Sequence, residues 1–169
     1  MADKTALVIV DVQPAFLNTR NRSVVGRIVR RIEKQAYDAY VLASFSAQKG
    51  SLWDKQQGWA CEKGTQTKVV PEITDALKGK RPIIVEKGTK SVFADAAIGR
   101  QLKRRGISRV EVVGLDTNDC VLATAYDAFD GGFLTHVIEK CCDTSASPKL
   151  HKAAVQLLRH QHMTDASRL

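Results

Sequence analysis

Short runs of aliphatic and β-branched residues alternate along the chain with longer segments in which apolar positions recur every three or four residues. The runs are Ala6-Leu7-Val8-Ile9-Val10, Tyr40-Val41-Leu42-Ala43-Ser44-Phe45, Pro82-Ile83-Ile84-Val85, Arg109-Val110-Glu111-Val112-Val113 and Leu134-Thr135-His136-Val137-Ile138. The first and third are almost wholly apolar, as strands covered on both faces must be. Helices are predicted near 22–38, 94–105, 118–130 and 148–161. Within 118–130, Val121, Leu122, Ala125, Ala128 and Phe129 keep helical spacing, and Gly131-Gly132 supplies a stop. The alternation predicts an α/β fold in which helices cover both faces of a parallel sheet. Residues 46–70 break the rhythm. They are polar and contain glycine, yet they carry both tryptophans, Trp53 and Trp59. A stretch of this kind is a candidate binding loop, and its tryptophans suit a substrate pocket, a core cover or a subunit interface.

Composition narrows the class. The 169 residues are one domain's worth, 1–169, with a core large enough to fold without disulfides or a structural metal. Apolar residues at 44% and charged residues at 26% exclude a disordered chain. There is no run of about 18 apolar residues, so no membrane span is expected. The opening Met1-Ala2-Asp3-Lys4-Thr5 does not read as a signal peptide, which points to a cytoplasmic protein. Cys61, Cys120, Cys141 and Cys142 lack zinc-finger spacing and read as free thiols, with Cys141-Cys142 as packing. The formal net charge is +8, and Arg27, Arg30, Arg31 and Lys34 share one predicted helix face. That face reads as solvated rather than as a specific nucleic-acid site, because no aromatic residues are interleaved with it. An attraction for anionic substrates is a further reading of the charge.

In open α/β sheets, ligands sit at the carboxyl ends of the strands. The first strand delivers Asp11 there, followed by Gln13, Pro14 and Phe16. The third delivers Glu86 and Lys87, and the fourth delivers Gly114-Leu115-Asp116-Thr117-Asn118-Asp119-Cys120 as a helix begins. An acid, a lysine and a cysteine can converge at one end of the sheet. With Thr117 or Asn118 as helix cap, the helix dipole and Lys87 are expected to favour a Cys120 thiolate. Asp11 has the chemistry of a proton shuttle, and free amides at 116–120 that of an oxyanion site.

Three ordered blocks resemble the isochorismatase-like cysteine hydrolases. They are ALVIVDVQPAFL from Ala6, the lysine block Lys87-Gly88-Thr89-Lys90-Ser91-Val92-Phe93, and GLDTNDCVLATAYDAFDGGF from Gly114. The resemblance runs over nearly the whole chain. It implies a three-layer α/β/α fold on a parallel sheet of five or six strands, ordered 3-2-1-4-5. It also implies an Asp11-Lys87-Cys120 triad, with Lys90 the rival lysine, and a cis peptide joining Leu115 to Asp116. Gln13, Phe16, Trp53 and Phe93 are the candidate pocket residues, and homo-oligomers are common in such families.

Departures from the family pattern refine the expectation. Metal-dependent nicotinamidases of this family carry Asp-x-His after the second strand, where Ser44-Phe45-Ser46-Ala47-Gln48-Lys49 has neither residue. The histidines, His136, His151, His160 and His162, all lie near the end of the chain. Neither a metal site nor a cofactor is expected. Because the cysteine is present, hydrolysis of a C–N bond in a small amide or ureide is expected, rather than the vinyl-ether chemistry of true isochorismatases. A nicotinamidase and a non-catalytic binding or assembly protein are the alternatives. Asp119, beside the cysteine, opposes thiolate formation if it points inward, or else reads a cationic substrate group.

Overall fold

A computed structural model describes residues 3–165. Five strands, β1 (Lys4–Val10), β2 (Ala39–Phe45), β3 (Ile83–Lys87), β4 (Ile107–Gly114) and β5 (Leu134–Cys142), form one sheet in the order β3-β2-β1-β4-β5. Every pairing is parallel. The helices are α1 (Ser23–Lys34), α2 (Leu52–Gln57), α3 (Pro71–Ala76), α4 (Ala96–Arg104), α5 (Leu122–Asp130) and α6 (Pro148–His160). The expected helices and strands are present with ends shifted by a few residues. The chain at 46–70 is less irregular than expected, because Ser51 caps α2 by accepting from the Asp54 amide at 3.2 Å. The short helix α3, opened by Pro71, was not anticipated from the periodicity. Five strands are present among the described residues, without a sixth.

Side chains alternate along β1, so one strand feeds two cores. Ala6, Val8 and Val10 join Leu102 of α4, Ala125 and Ala128 of α5 and Leu158 of α6 on one face. Leu7 and Ile9 join Val24, Val25, Ile28 and Ile32 of α1 and Ile73 of α3 on the other. Each fully buried aliphatic side chain stabilises the fold by roughly 1.5–3 kcal/mol before entropy is counted. The basic face of α1 is only half solvated. Arg27 donates to the Lys140 carbonyl, and Arg31 bonds Glu111 and Tyr37, both at 2.6 Å, so these two turn toward the sheet while Arg30 and Lys34 stay exposed.

The strand order reverses between β1 and β4, and that opens a crevice at their carboxyl ends. The two strands approach very closely there. Gly114 has φ +125°, and a Cβ on it would lie 2.1 Å from the Val10 carbonyl oxygen, so only glycine fits. This contact sets the β1 and β4 loops side by side.

Candidate active site

β1 is followed directly by Asp11, whose φ of 51° turns the chain sharply away from the strand. Its side chain is fully buried. β3 ends on Lys87, and Lys87 Nζ donates to Asp11 Oδ2 at 2.6 Å and to the Thr89 carbonyl at 3.0 Å. The ammonium also stands 5.2 Å from the Phe45 ring centroid. Lys87 is the lysine that meets Asp11, whereas Lys90 pairs with Asp119. The following Ser91 hydroxyl caps the next turn by accepting from the Phe93 amide at 3.0 Å, and the Val92 amide donates to Thr124 of α5 at 3.1 Å. These bonds fix the lysine loop against the helix that follows Cys120.

The β4 loop carries Cys120. The peptide from Leu115 to Asp116 is cis, and Leu115 is fully buried. A π-helical turn, Thr117–Val121, precedes α5, closed by the Val121 amide donating to the Asp116 carbonyl at 3.1 Å. Cys120 sits in this turn, and neither expected side-chain cap forms. The Thr117 hydroxyl donates to the Asp143 carbonyl at 2.8 Å, and Asn118 accepts from the Thr144 hydroxyl at 2.6 Å. The Asp116 carboxylate accepts from the Ser145 amide at 2.7 Å and from the Ser145 hydroxyl. Three consecutive residues after β5 thereby strap three consecutive residues of the Cys120 loop. Arg20 holds the strap from behind, donating to the carbonyls of Thr144 and Ala146.

The electrostatics differ from the expected preformed thiolate. Burial, followed by the Asp11 carboxylate, drives the Cys120 thiol well above the ordinary thiol range, and the Lys87 ammonium offsets only part of this. The helix start does not overcome desolvation at a residue that is 3% exposed. Asp11 is itself raised by burial, with Lys87 opposing the rise. The Cys120 thiol is near enough for the two groups to perturb each other, lowering the Asp11 pKa and raising its own. Burial raises Asp116 to about 6 against the pull of Ser145.

A cleft of about 380 Å³ opens over Cys120. Its apolar lining comes from Ala15, Phe16, Trp53 and Trp59, and its polar lining includes Asp116, Asn118, Asp119 and Ser145. Trp53 lies 5.3 Å from Trp59 and 4.5 Å from Phe45 between ring centroids. Two candidate pocket residues are elsewhere. Gln13 is fully buried and spends its amide on Phe45, donating to its carbonyl at 2.9 Å and accepting from its N–H at 2.8 Å. Phe93 packs on Phe133 at 5.7 Å in the core. Ser145 was missed, and Asn118, read from the sequence as a helix cap, lines the cleft instead. Ser145 was findable by asking what the fifth strand delivers at its carboxyl end.

A larger groove of about 470 Å³ beside β2 and β3 holds Ser44, Ser46, Lys63, Lys68 and Glu86. Lys63 pairs with Glu86 at 2.5 Å. Glu86 is the one carboxylate among them and is taken by Lys63, and hydroxyls and ammonium groups are poor donors for zinc or iron, so these residues do not fit such an ion. Among the described residues, no three His, Cys, Asp or Glu side chains gather as a metal-binding set. No helix among them is long and apolar enough to cross a membrane.

The isochorismatase domain model matches residues 5–167. Over 85 residues the chain is 31% identical to a ureidoacrylate amidohydrolase of Acinetobacter baylyi, covering 50% of this chain and 35% of that protein. Over 69 residues it is 35% identical to nicotinamidase 3 of Arabidopsis thaliana, covering 41% and 34%. The matches thus span about a third of the length of these curated relatives. An isochorismatase-like hydrolase from Alkaliphilus metalliredigens superposes with a TM-score of 0.83 at 20% identity, over 95% of this chain and 93% of that one. A pyrazinamidase of Pyrococcus horikoshii, solved in complex with zinc, superposes with 0.77 at 17% identity, over 95% and 97%.

Proposed function

The chain belongs to the isochorismatase family, and from that premise we propose that it is a metal-independent cysteine hydrolase that cleaves the C–N bond of a small amide or ureide. The observation that carries this reading is the sealed Lys87–Asp11 pair set beside Cys120 at the mouth of an aromatic cleft. As Cys120 Sγ attacks the substrate carbonyl, Asp11 takes the thiol proton. A neutral resting thiol makes that transfer part of the attack. The amides of Asp116, on the cis peptide, and of Cys120, in the turn that follows, are those we assign to the oxyanion. Asp11 then gives its proton to the departing nitrogen, the C–N bond breaks, and ammonia or an amine leaves a Cys120 thioester. Water, deprotonated by Asp11, attacks the thioester. The acid is released, and the proton returns to the thiol.

Metal-independence rests on the donor set beyond β2, where Lys63 and Lys68 stand among hydroxyls. A nicotinamidase is the second reading, favoured by the match to the plant enzyme and by the aromatic lining of Phe16, Trp53 and Trp59, which suits a planar ring. The test is ammonia release from a panel of amides and ureides, with EDTA present and with Cys120→Ala as control. Turnover that survives EDTA and vanishes in the variant is expected. Turnover that persists in Cys120→Ala, or that needs added zinc or iron, overturns the reading.

A further inference from the structure

The cleft carries a charge opposite to that of the chain. The formal net charge is +8, yet the lining of the cleft holds two carboxylates, Asp116 and Asp119, and no Lys, Arg or His. Asp116 is held by neutral donors, the amide and hydroxyl of Ser145, which leave its charge uncompensated. Although raised to about 6, it is largely ionised at neutral pH.

Asp119 meets a cation from within the chain. Lys90 pairs with its Oδ1, and the same Nζ stands 4.9 Å from the Trp53 ring centroid. An aromatic face and a carboxylate are the two attractions that together recognise an organic cation, and here an ammonium already sits between them. The Lys90 side chain is 45% exposed, so it can move into water at little cost. Asp119 and Trp53 line the cleft itself, while Lys90 lies in the adjoining groove with Gly88 and Thr89.

We propose that Asp119 is a specificity-determining residue and that the cleft selects positive charge. The preferred substrate is a planar amide or ureide bearing an ammonium, amidinium or pyridinium group, which takes the place of Lys90 between Asp119 and Trp53. Carboxylate-bearing substrates are turned away. This rests on reading the cleft over Cys120 as the active site. It runs against the simplest inference from the basic composition, which is an attraction for anions.

Three probes with one ring and three charges test it: benzamidine, benzamide and benzoate. Each is titrated as a protectant of Cys120 against iodoacetamide, followed by mass spectrometry and normalised to the unprotected rate. The expected order of protection is benzamidine, then benzamide, then benzoate. Asp119→Asn weakens benzamidine about three- to tenfold, the scale of one partly screened ion pair with its aromatic neighbour. Lys90→Met, which frees Asp119, strengthens benzamidine by a similar factor with little change for benzamide. Equal protection by benzoate and benzamidine overturns the proposal. So do variants that shift all three probes together, as a merely structural ion pair would make them do. Ammonia release is measured in parallel. Amide turnover with a flat charge order sinks this inference and spares the hydrolase reading, while a charge order without turnover does the reverse.

Discussion

Lys87 Nζ and Asp11 Oδ2 lie 2.6 Å apart with both side chains sealed from solvent, 4% and 0% exposed. Neither charge is tolerable there alone, since breaking a buried pair by removing one partner costs roughly 3–5 kcal/mol. Under the proposed mechanism, catalysis and folding draw on the same contact.

Asp11→Asn is expected to lower turnover by about 10²–10⁴-fold, the usual worth of a general base, and also to lower the melting temperature, because the Lys87 ammonium is left buried without its counter-ion. The double variant Asp11→Asn/Lys87→Met regains stability and stays inactive. Thermal melts beside activity assays check this. A double variant no more stable than the single one would show that the pair does not behave as a buried charge couple.

Cys120 alkylation reports its neighbours with opposite signs. Lys87 lowers the thiol pKa, and Asp119 raises it. Lys87→Met is expected to slow alkylation near pH 7, and Asp119→Asn to speed it, each by several-fold. Because burial holds the thiol above its ordinary range, the wild-type rate climbs steeply with pH. Lys90→Met changes the unprotected rate far less than Lys87→Met. Timed mass spectrometry reads all three, and equal effects of the two lysines contradict the assignment.

Asp116 makes stability depend on pH. Its pKa rises from 3.8 to about 6 on folding, so the folded state holds a proton that the unfolded state has released between those values. The stabilisation from this proton is complete below pH 3.8 and is lost as the pH rises through 6. At about 1.4 kcal/mol per unit, the decline is on the order of 2–3 kcal/mol. Urea denaturation of Asp116→Asn at several pH values should lack this component. Ser145→Ala removes a bond that lowers the Asp116 pKa, so it should move the decline to higher pH.

Gly114→Ala places a methyl group 2.1 Å from the Val10 carbonyl oxygen at a φ of +125°. Loss of soluble folded protein is expected, or destabilisation beyond about 4 kcal/mol. Circular dichroism and yield measure it, and a near-native melt contradicts the close approach of β1 and β4.

Much of this was legible in the chain. Apolar runs of four to six residues separated by helical periods determine a parallel α/β sheet, because burial on both faces leaves no other place for them. The loops after β1, β3 and β4 announce Asp11, Lys87 and Cys120 by position. Pattern alone could not say which residues reach the cleft. Gln13 and Phe93 lie two and six residues beyond Asp11 and Lys87 in sequence, but the Phe45 backbone and core packing claim their side chains. Ser145 reaches Asp116 from 29 residues away, a contact that only the sheet order creates. The thiol's state was likewise beyond the sequence: a cysteine at a helix start reads as activated, and the degree of burial reversed the sign. Local propensity and hydrophobic periodicity act over a few residues and belong to the sequence. Desolvation and long-range hydrogen bonding depend on what the finished fold brings near, and they decided the chemistry of the site.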